Sequence, residues 1–329
     1  MSAGPAWREW SSRAAHSVAR DVTVGVCTYR RPASLQRFLE SLADQDPAPA
    51  ETMIVDASPD ARSEEVVHRL IEDGVLPGIV RYCRVGEPFR GLTRQRNIAL
   101  DAATTELIAF FDDDIVLLPG ALGALAEVHR TASPAPAGVG AVIVNELEPP
   151  SLRWRIRRML GIVPTLAPGR YARSGMSVPW RFIQGDGPSI PGDWLPGGAS
   201  MWRTDGARSC RFNTEFAGYG NGEDLEFSVR IREAGPLLMC PRARVRHLPD
   251  PAGRPDQRLL ALSSVVNAWR IHQLLPARSA RDVARFAYAH LVELALLLAG
   301  FVRHPSRDRG TYLTGYVAAL IHIVRKGRR

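Results

Sequence analysis

Leu107–Leu117 reads LIAFFDDDIVL, an apolar run that ends on three consecutive acids before the chain turns apolar again. Leu107–Phe111 has the length and residue types of a buried strand. Three adjacent carboxylates beside it repel one another and lose hydration, which is costly unless a cation neutralises them. A hard divalent ion wants oxygen ligands and commonly shares one or two carboxylates with the phosphate oxygens of a substrate. Asp112 and Asp114, an Asp-x-Asp pair at a strand end, can converge on one metal, or on a metal and a ribose. Alone, such a triplet is equally a solvated acidic loop or a helix-start cluster; the strand feeding it turns the reading toward a metal.

Working outward, short β-rich runs alternate with helical ones, the signature of a parallel α/β sheet. Val22–Thr28 (VTVGVCT) is the first strand. Pro32 opens a helix through Leu42, with Leu35, Phe38, Leu39 and Leu42 on one face. Thr52–Asp56 is a second strand, Ser63 starts a helix that Gly74 ends, and Ile79–Val85 is a third strand. Gly91–Ala103 is helical, Pro119–Thr131 likewise, and Val139–Glu146 is a further strand. Ligands of open α/β sheets bind outside the carboxyl ends of the strands. Thr28, Asp56 and Asp112–Asp114 are therefore expected around one crevice.

Residues 1–20 read as a tail without the apolar segment of a secretory signal. The α/β domain is expected over 21–250 and a helical region over 251–329. Residues 149–193, rich in Pro, Gly, Arg and Trp, show no sustained period beyond a short basic amphipathic stretch at Leu152–Val163. Cys27, Cys83, Cys210 and Cys240 form no CxxC pair or zinc pattern, which suits a reducing cytoplasm. The net charge is +8, and Lys326 is the only lysine. Arginine favours bidentate contacts to phosphate, so anionic partners are expected: nucleotide diphosphates, nucleic acid or lipid headgroups.

GYGNGEDLEFSVRIREAG carries Glu223 and Asp224 between glycines. A carboxylate there can act as a general base, or can simply favour a helix start. The strict alternation of Leu225, Phe227, Val229 and Ile231 would by itself give a strand. In RVRHLPDP, His247 ends another apolar–basic alternation.

VTVGVCTYRRPASLQRFLESL, IVDASPD, RGLTRQRNIAL, AFFDDDIVL, LPGGASMWR and GYGNGEDLEFSVRIREAG, in that order over roughly 21–248, resemble the GT-A glycosyltransferases of family 2. The resemblance implies a Rossmann-like, mostly parallel sheet, here followed by C-terminal helices. It implies a hexosyltransferase-type enzyme that uses a nucleotide-sugar donor (UDP, GDP or dTDP type) and Mn²⁺ or Mg²⁺, inverts the anomeric carbon, and works on an acceptor hydroxyl of a glycan, a lipid-linked sugar or a small molecule. By motif match, Thr28, Arg30, Asp56, Arg96, Asn97, Asp112 and Asp113 fall to the donor. Asp112, Asp114 and His247 fall to the metal, Asp224 with Glu223 to the catalytic base, and Trp194, Gly197 and Gly198 to the acceptor side. Asp56-Ala57-Ser58 departs from the family's Asp-Asn-Gly/Ser, which leaves base selectivity open.

Leu291–Val302 (LVELALLLAGFV) is shorter than the ~20 residues that span a bilayer and reads as a buried helix. Tyr312–Val324 with its basic end, and the stretch around Arg155, suit an anionic membrane surface as a peripheral contact. Two rivals fare worse. A nucleotidyltransferase would carry a Gly- or Lys-bearing loop where TYRRPAS stands. A nucleic-acid-binding protein would not place acids in its crevice, so no nucleic-acid partner is expected.

Overall fold

The computed structural model describes residues 5–11, 18–216, 221–250 and 256–326. It divides into unit 1 (Met1–Leu147 with Gln184–Gly253) and unit 2 (Glu148–Ile183 with Arg254–Arg329). The chain opens with β1 (Arg8–Ser11), β2 (Val18–Thr28), α1 (Pro32–Ala43), β3 (Ala48–Asp56), α2 (Arg62–Glu72), β4 (Ile79–Arg84) and α3 (Leu92–Ala102). β5 (Leu107–Asp112), β6 (Ile115–Leu117), α4 (Ala121–Thr131) and β7 (Gly138–Ile143) follow, and then α5 (Leu152–Met159) of unit 2. β8 (Ile190–Gly192), β9 (Ala199–Arg203), α6 (Thr204–Cys210), α7 (Glu223–Ile231) and β10 (Leu237–His247) complete unit 1. α8 (Gln257–Gln273), α9 (Ala280–Arg303) and α10 (Arg307–Lys326) complete unit 2.

Unit 1 is one sheet in the order β1-β4-β3-β2-β5-β9-β7-β10-β6, with β8 paired to β10. β4, β3, β2 and β5 run parallel. The chain winds from β2 toward β4 and then resumes on the other side at β5, so the strand order reverses between β2 and β5. That reversal opens a crevice at the strands' carboxyl ends. Register carries the acids there: Thr28 pairs with Asp56 and Cys27 with Asp112. The antiparallel pairing of β10 with β6 sets His247 opposite Ile115, which brings a residue far along the chain beside Asp114. Beneath the crevice, Val24, Val26, Leu35, Phe38, Leu39, Phe111, Leu122 and Leu125 form the main core.

Several expectations are corrected. The N-terminal tail contributes β1, whose four residues pair antiparallel with β4, from Arg8 opposite Tyr82 to Ser11 opposite Ile79. Its polar sequence, REWS, shows no apolar alternation; only the open edge of β4 defines it. Of the two readings left open for Glu223–Ile231, a helix start and an alternating strand, the helix is the one found. Phe227 packs against Trp202 and Phe212, while the intervening Ser228 and Glu226 are also buried, Ser228 accepting from the Leu195 amide and Glu226 paired with Arg230. Polarity therefore does not report burial along this helix. Residues 148–183, expected within the α/β domain, group with the C-terminal helices.

In unit 2, α8 and α10 pack through Ala261, Val265, Tyr316 and Ala319. A second cluster joins Trp154, Ile162, Val163, Val178 and Phe182 to Ala289 of α9. α5 is fastened to α9 by Arg153 and Arg157, both on Glu293, with Arg157 Nη2 at 2.7 Å.

Candidate active site

At the switch point lies a cleft of about 680 Å³, whose lining includes Thr28, Tyr29, Arg31, Arg90, Arg94, Asp112, Asp113, Asp114, Asn221, Glu223, Asp224 and His247. All of these belong to unit 1. Cys27 also reaches it, but burial pushes its thiol to about 12, so it stays protonated and inert.

The three acids at the end of β5 are treated differently. Asp112 keeps 43% of its side chain exposed and accepts from Arg96 Nη2 at 3.0 Å. Asp113 is buried, accepting from Thr28 Oγ1 at 2.7 Å and Arg31 Nη1 at 3.1 Å, and burial raises its carboxyl to about 7. Asp114 is also buried, and although that burial opposes ionisation, His247 holds its carboxyl below the usual range.

Across the cleft, Gly222 takes φ +86 as the residue before α7 and starts the helix on Glu223 and Asp224. The amide-rich helix start favours negative charge. Glu223 is buried and bonded to Arg96 Nη1 at 2.8 Å; burial, with Asp224 adjacent, raises it to about 8. Asp224 is more open and accepts from the Leu225 amide at 2.7 Å, yet burial still raises its carboxyl. Of the pair, Asp224 is the carboxylate free of an arginine contact and positioned to accept a proton.

Other residues singled out from the sequence lie elsewhere. Asn97 does not reach the cleft: its amide donates to Phe212 O at 2.8 Å and its carbonyl accepts from Phe212 N at 2.9 Å, so it braces α3 to the chain after α6. Arg96 is 1% exposed behind the acids and ties Asp112 to Glu223. Asp56 is fully buried, its oxygens taken by Tyr82 Oη and the Ser58 amide, both at 2.7 Å. Arg30 sits at φ +57 with its side chain over the Tyr29 ring. The arginine that faces the acids is its neighbour Arg31, which the TYRRPAS motif contained but whose direction only the left-handed turn at Arg30 decides.

Gly197 and Gly198 lie under the acids. A Cβ on Gly197 would stand 2.8 Å from Arg96 Nη1 and 2.9 Å from Glu223 Oε1, and one on Gly198 would overlap the Asp112 carboxylate. Their service is room for the carboxylates. Trp194 is half-buried and outside the cleft lining. Trp202 is core. The 218–220 part of the glycine-rich motif lies outside the described residues.

The donor set fits a divalent cation completed by substrate. Asp112 and Asp114 both line the cleft, and the missing Cβ of Gly198 leaves Asp112 room to turn. Among the described residues no three His, Cys, Asp or Glu side chains gather tightly enough to form a metal cage. Ions of the Mg²⁺ type are usually held by one or two carboxylates with substrate phosphate and water. His247 is different. Hydrogen bonds to Asp114 and Glu146, the latter at 2.6 Å, raise it to about 10, and a protonated imidazole has no lone pair for a metal. It sits as a cation between the two acids.

The fold is that of the GT-A glycosyltransferases. A mannosyltransferase from Pyrobaculum calidifontis, solved with GDP-Man and Mn²⁺, matches with a TM-score of 0.54 and 21% identity over 94% of this chain and 84% of that one. GalNAc-T7, solved with UDP, GalNAc and Mn²⁺, matches with a TM-score of 0.52 and 15% identity over 77% of this chain and 49% of that one. The succinoglycan biosynthesis protein ExoM of Rhizobium meliloti is 30% identical over 246 residues, 73% of this chain and 70% of its own. The validoxylamine A glucosyltransferase of Streptomyces hygroscopicus is 27% identical over 65% of this chain and 48% of its own. The family model described as glycosyl transferase family 2 matches residues 23–181. Fold and relatives together define a glycosyltransferase. The chain belongs to glycosyltransferase family 2.

Proposed function

We propose that this enzyme transfers a glycosyl group from a nucleotide-sugar donor to an acceptor hydroxyl in one displacement, with inversion at the anomeric carbon and with Mn²⁺ or Mg²⁺. The observation that carries the proposal is the meeting of Asp112–Asp114 and Asp224 in one cleft at the sheet's switch point. Asp112 and Asp114 would hold the ion, and His247 would join them only by giving up its proton. When bound, the ion neutralises charge on the departing nucleotide diphosphate, in place of a general acid. Asp224 takes the acceptor's hydroxyl proton as that oxygen attacks the anomeric carbon and the bond to the diphosphate breaks. Its raised pKa makes it a stronger base than an ordinary aspartate. Thr28 and Arg31 fix the direction of Asp113 and Asp114, and Arg96 that of Asp112 and Glu223.

The donor is of UDP, GDP or dTDP type; the complexes of the two structural neighbours with GDP-Man and with UDP support this class. The acceptor is a glycan, lipid-linked or small-molecule hydroxyl, and the enzyme works in the cytoplasm, which its four free cysteines suit. The test is nucleotide release from a panel of UDP-, GDP- and dTDP-sugars with Mn²⁺ or EDTA. Asp224→Asn should lower turnover at least about a hundredfold while nucleotide affinity stays within about threefold. Asp114→Ala should lose metal-dependent binding. Nucleotide binding indifferent to metal in the wild type would sink the metal assignment, and normal turnover in Asp224→Asn would sink the base.

A further inference from the structure

Unit 2 carries a charge balance unlike the rest of the chain. Of 42 Lys and Arg and 34 Asp and Glu in the sequence, unit 2 holds 20 basic residues against five acidic ones, a formal +15 that leaves −7 on unit 1. Two of those five acids are buried in ion pairs: Asp282 with Arg173 and Arg285, and Glu293 with Arg153 and Arg157. Neither of these two acids offers a free negative charge at the surface of unit 2.

α9 is built inside out. Ala284, Ala287, Leu291, Ala295, Leu298 and Val302 are exposed and recur every three or four residues, so they make one stripe along the helix, about 27 Å long. Leu291 is 62% exposed and Val302 78%. Within the same span His290 and Glu293 point inward instead, His290 bonding Tyr316 Oη at 2.6 Å and Glu293 taking the α5 arginines, while Arg285 and Tyr288 stay exposed near its start. A helix on a water-facing surface shows the reverse arrangement. Exposed Arg281 and Arg285 flank one end of the stripe, Arg303 and Arg307 the other. α10 repeats the pattern on a smaller scale, with Val317, Ile321 and Val324 exposed just before Arg325 and Lys326.

We infer that unit 2 docks on an anionic lipid bilayer, with α9 lying along the interface, its Ala284–Val302 stripe at the acyl boundary and its flanking arginines at headgroup phosphates. An apolar stripe with cationic ends suits such a surface, where both terms add. Nucleic acid would answer to the charge alone and has no use for the stripe. A second copy docking through its own unit 2 would bring +15 against +15. α9 is long and apolar enough to cross a bilayer by length and composition, with 22% of its most apolar window buried. Crossing would, however, carry Glu293 and the two α5 arginines tied to it into hydrocarbon, whereas lying flat keeps them in their present bonds.

The full chain should sediment with vesicles of phosphatidylcholine containing phosphatidylglycerol and stay in solution with phosphatidylcholine alone. A triple variant, Leu291→Gln with Leu298→Gln and Val302→Gln, should lose affinity for the mixed vesicles about tenfold or more. Because the three side chains are exposed, its thermal unfolding midpoint should match the wild type, separating lost docking from lost folding. Sedimentation of the triple variant equal to the wild type overturns the inference. So does a wild type that ignores mixed vesicles, one that binds single-stranded RNA in their place with the same affinity in the triple variant, or vesicle-bound protein that resists extraction by alkaline carbonate.

Discussion

Asn97 and Gly198 show how a motif residue can matter without touching a ligand. Asn97 satisfies both backbone groups of Phe212. Removing it leaves a buried N–H and a buried carbonyl without partners, at about 1–3 kcal/mol for each group. Asn97→Ala should therefore lower unfolding free energy in urea by about 2 kcal/mol or more and leave nucleotide affinity per folded molecule unchanged; a selective fall in affinity would return Asn97 to the donor site. Gly198 answers the opposite way. Gly198→Ala forces the Asp112 carboxylate to move, and overpacking of this kind costs ~1–3 kcal/mol where the neighbour cannot yield. Asp112 is open on its cleft side, so it can swing and the cost falls on function. Metal-dependent nucleotide binding, measured by calorimetry, should weaken about tenfold or more while the unfolding midpoint shifts little.

Among the elements, α4 carries a hidden acid sensitivity. His129 is 6% exposed and its Nε2 lies 3.1 Å from Met201 O on β9, while its Nδ1 has no partner. Protonation would put a second N–H into a place without an acceptor, and burial lowers its pKa to about 4. The unfolded chain takes up this proton near pH 6.5, the folded one only near 4. The native state thus keeps its full advantage above pH 6.5 and loses up to about 3 kcal/mol of it as the pH falls to 4. His129→Gln should remove most of that loss. Urea titrations of both proteins at pH 7 and 4.5 check the sign: an equal drop in the two would locate the acid sensitivity elsewhere.

The same scale shows what the sequence could convey. The β/α alternation from Val22 to Thr131 was legible because its helices bury one face and its parallel strands are mainly apolar, so period and burial largely coincide. That was enough to bring Thr28 and Asp112–Asp114 to one edge. Burial and period part company in α7, where polar and apolar positions are both enclosed, and in β6, three residues long and defined only by its pairing with β10. Which of Arg30 and Arg31 faces the acids depended on a single backbone turn that composition does not encode. The placing of 148–183 depended on α9, more than a hundred residues downstream.

On the scale of the whole molecule, the described residues that line the cleft all belong to unit 1. Ligand that binds only the folded state stabilises by RT ln(1 + [L]/Kd), about 2.7 kcal/mol at a hundredfold excess over Kd. Nucleotide with Mn²⁺ should slow hydrogen exchange in β2, β5, β6, β10 and α7 and leave α8, α9 and α10 at their free rates. Equal protection in both groups of elements would mean that ligand stabilises the chain as one cooperative body.

The chain passes three times between its two units, near residues 147, 183 and 253. Neither unit is a contiguous stretch of gene, so no single cut isolates the catalytic half. A chain stopped at Gly253 would retain every strand of the sheet, yet it would leave Trp154, Val163 and Phe182 without Ala289, the residue of α9 that closes their cluster. A soluble catalytic fragment needs a second excision, with 148–183 replaced by a short linker. Donor specificity could then be engineered in a piece that carries the −7 half of the charge alone.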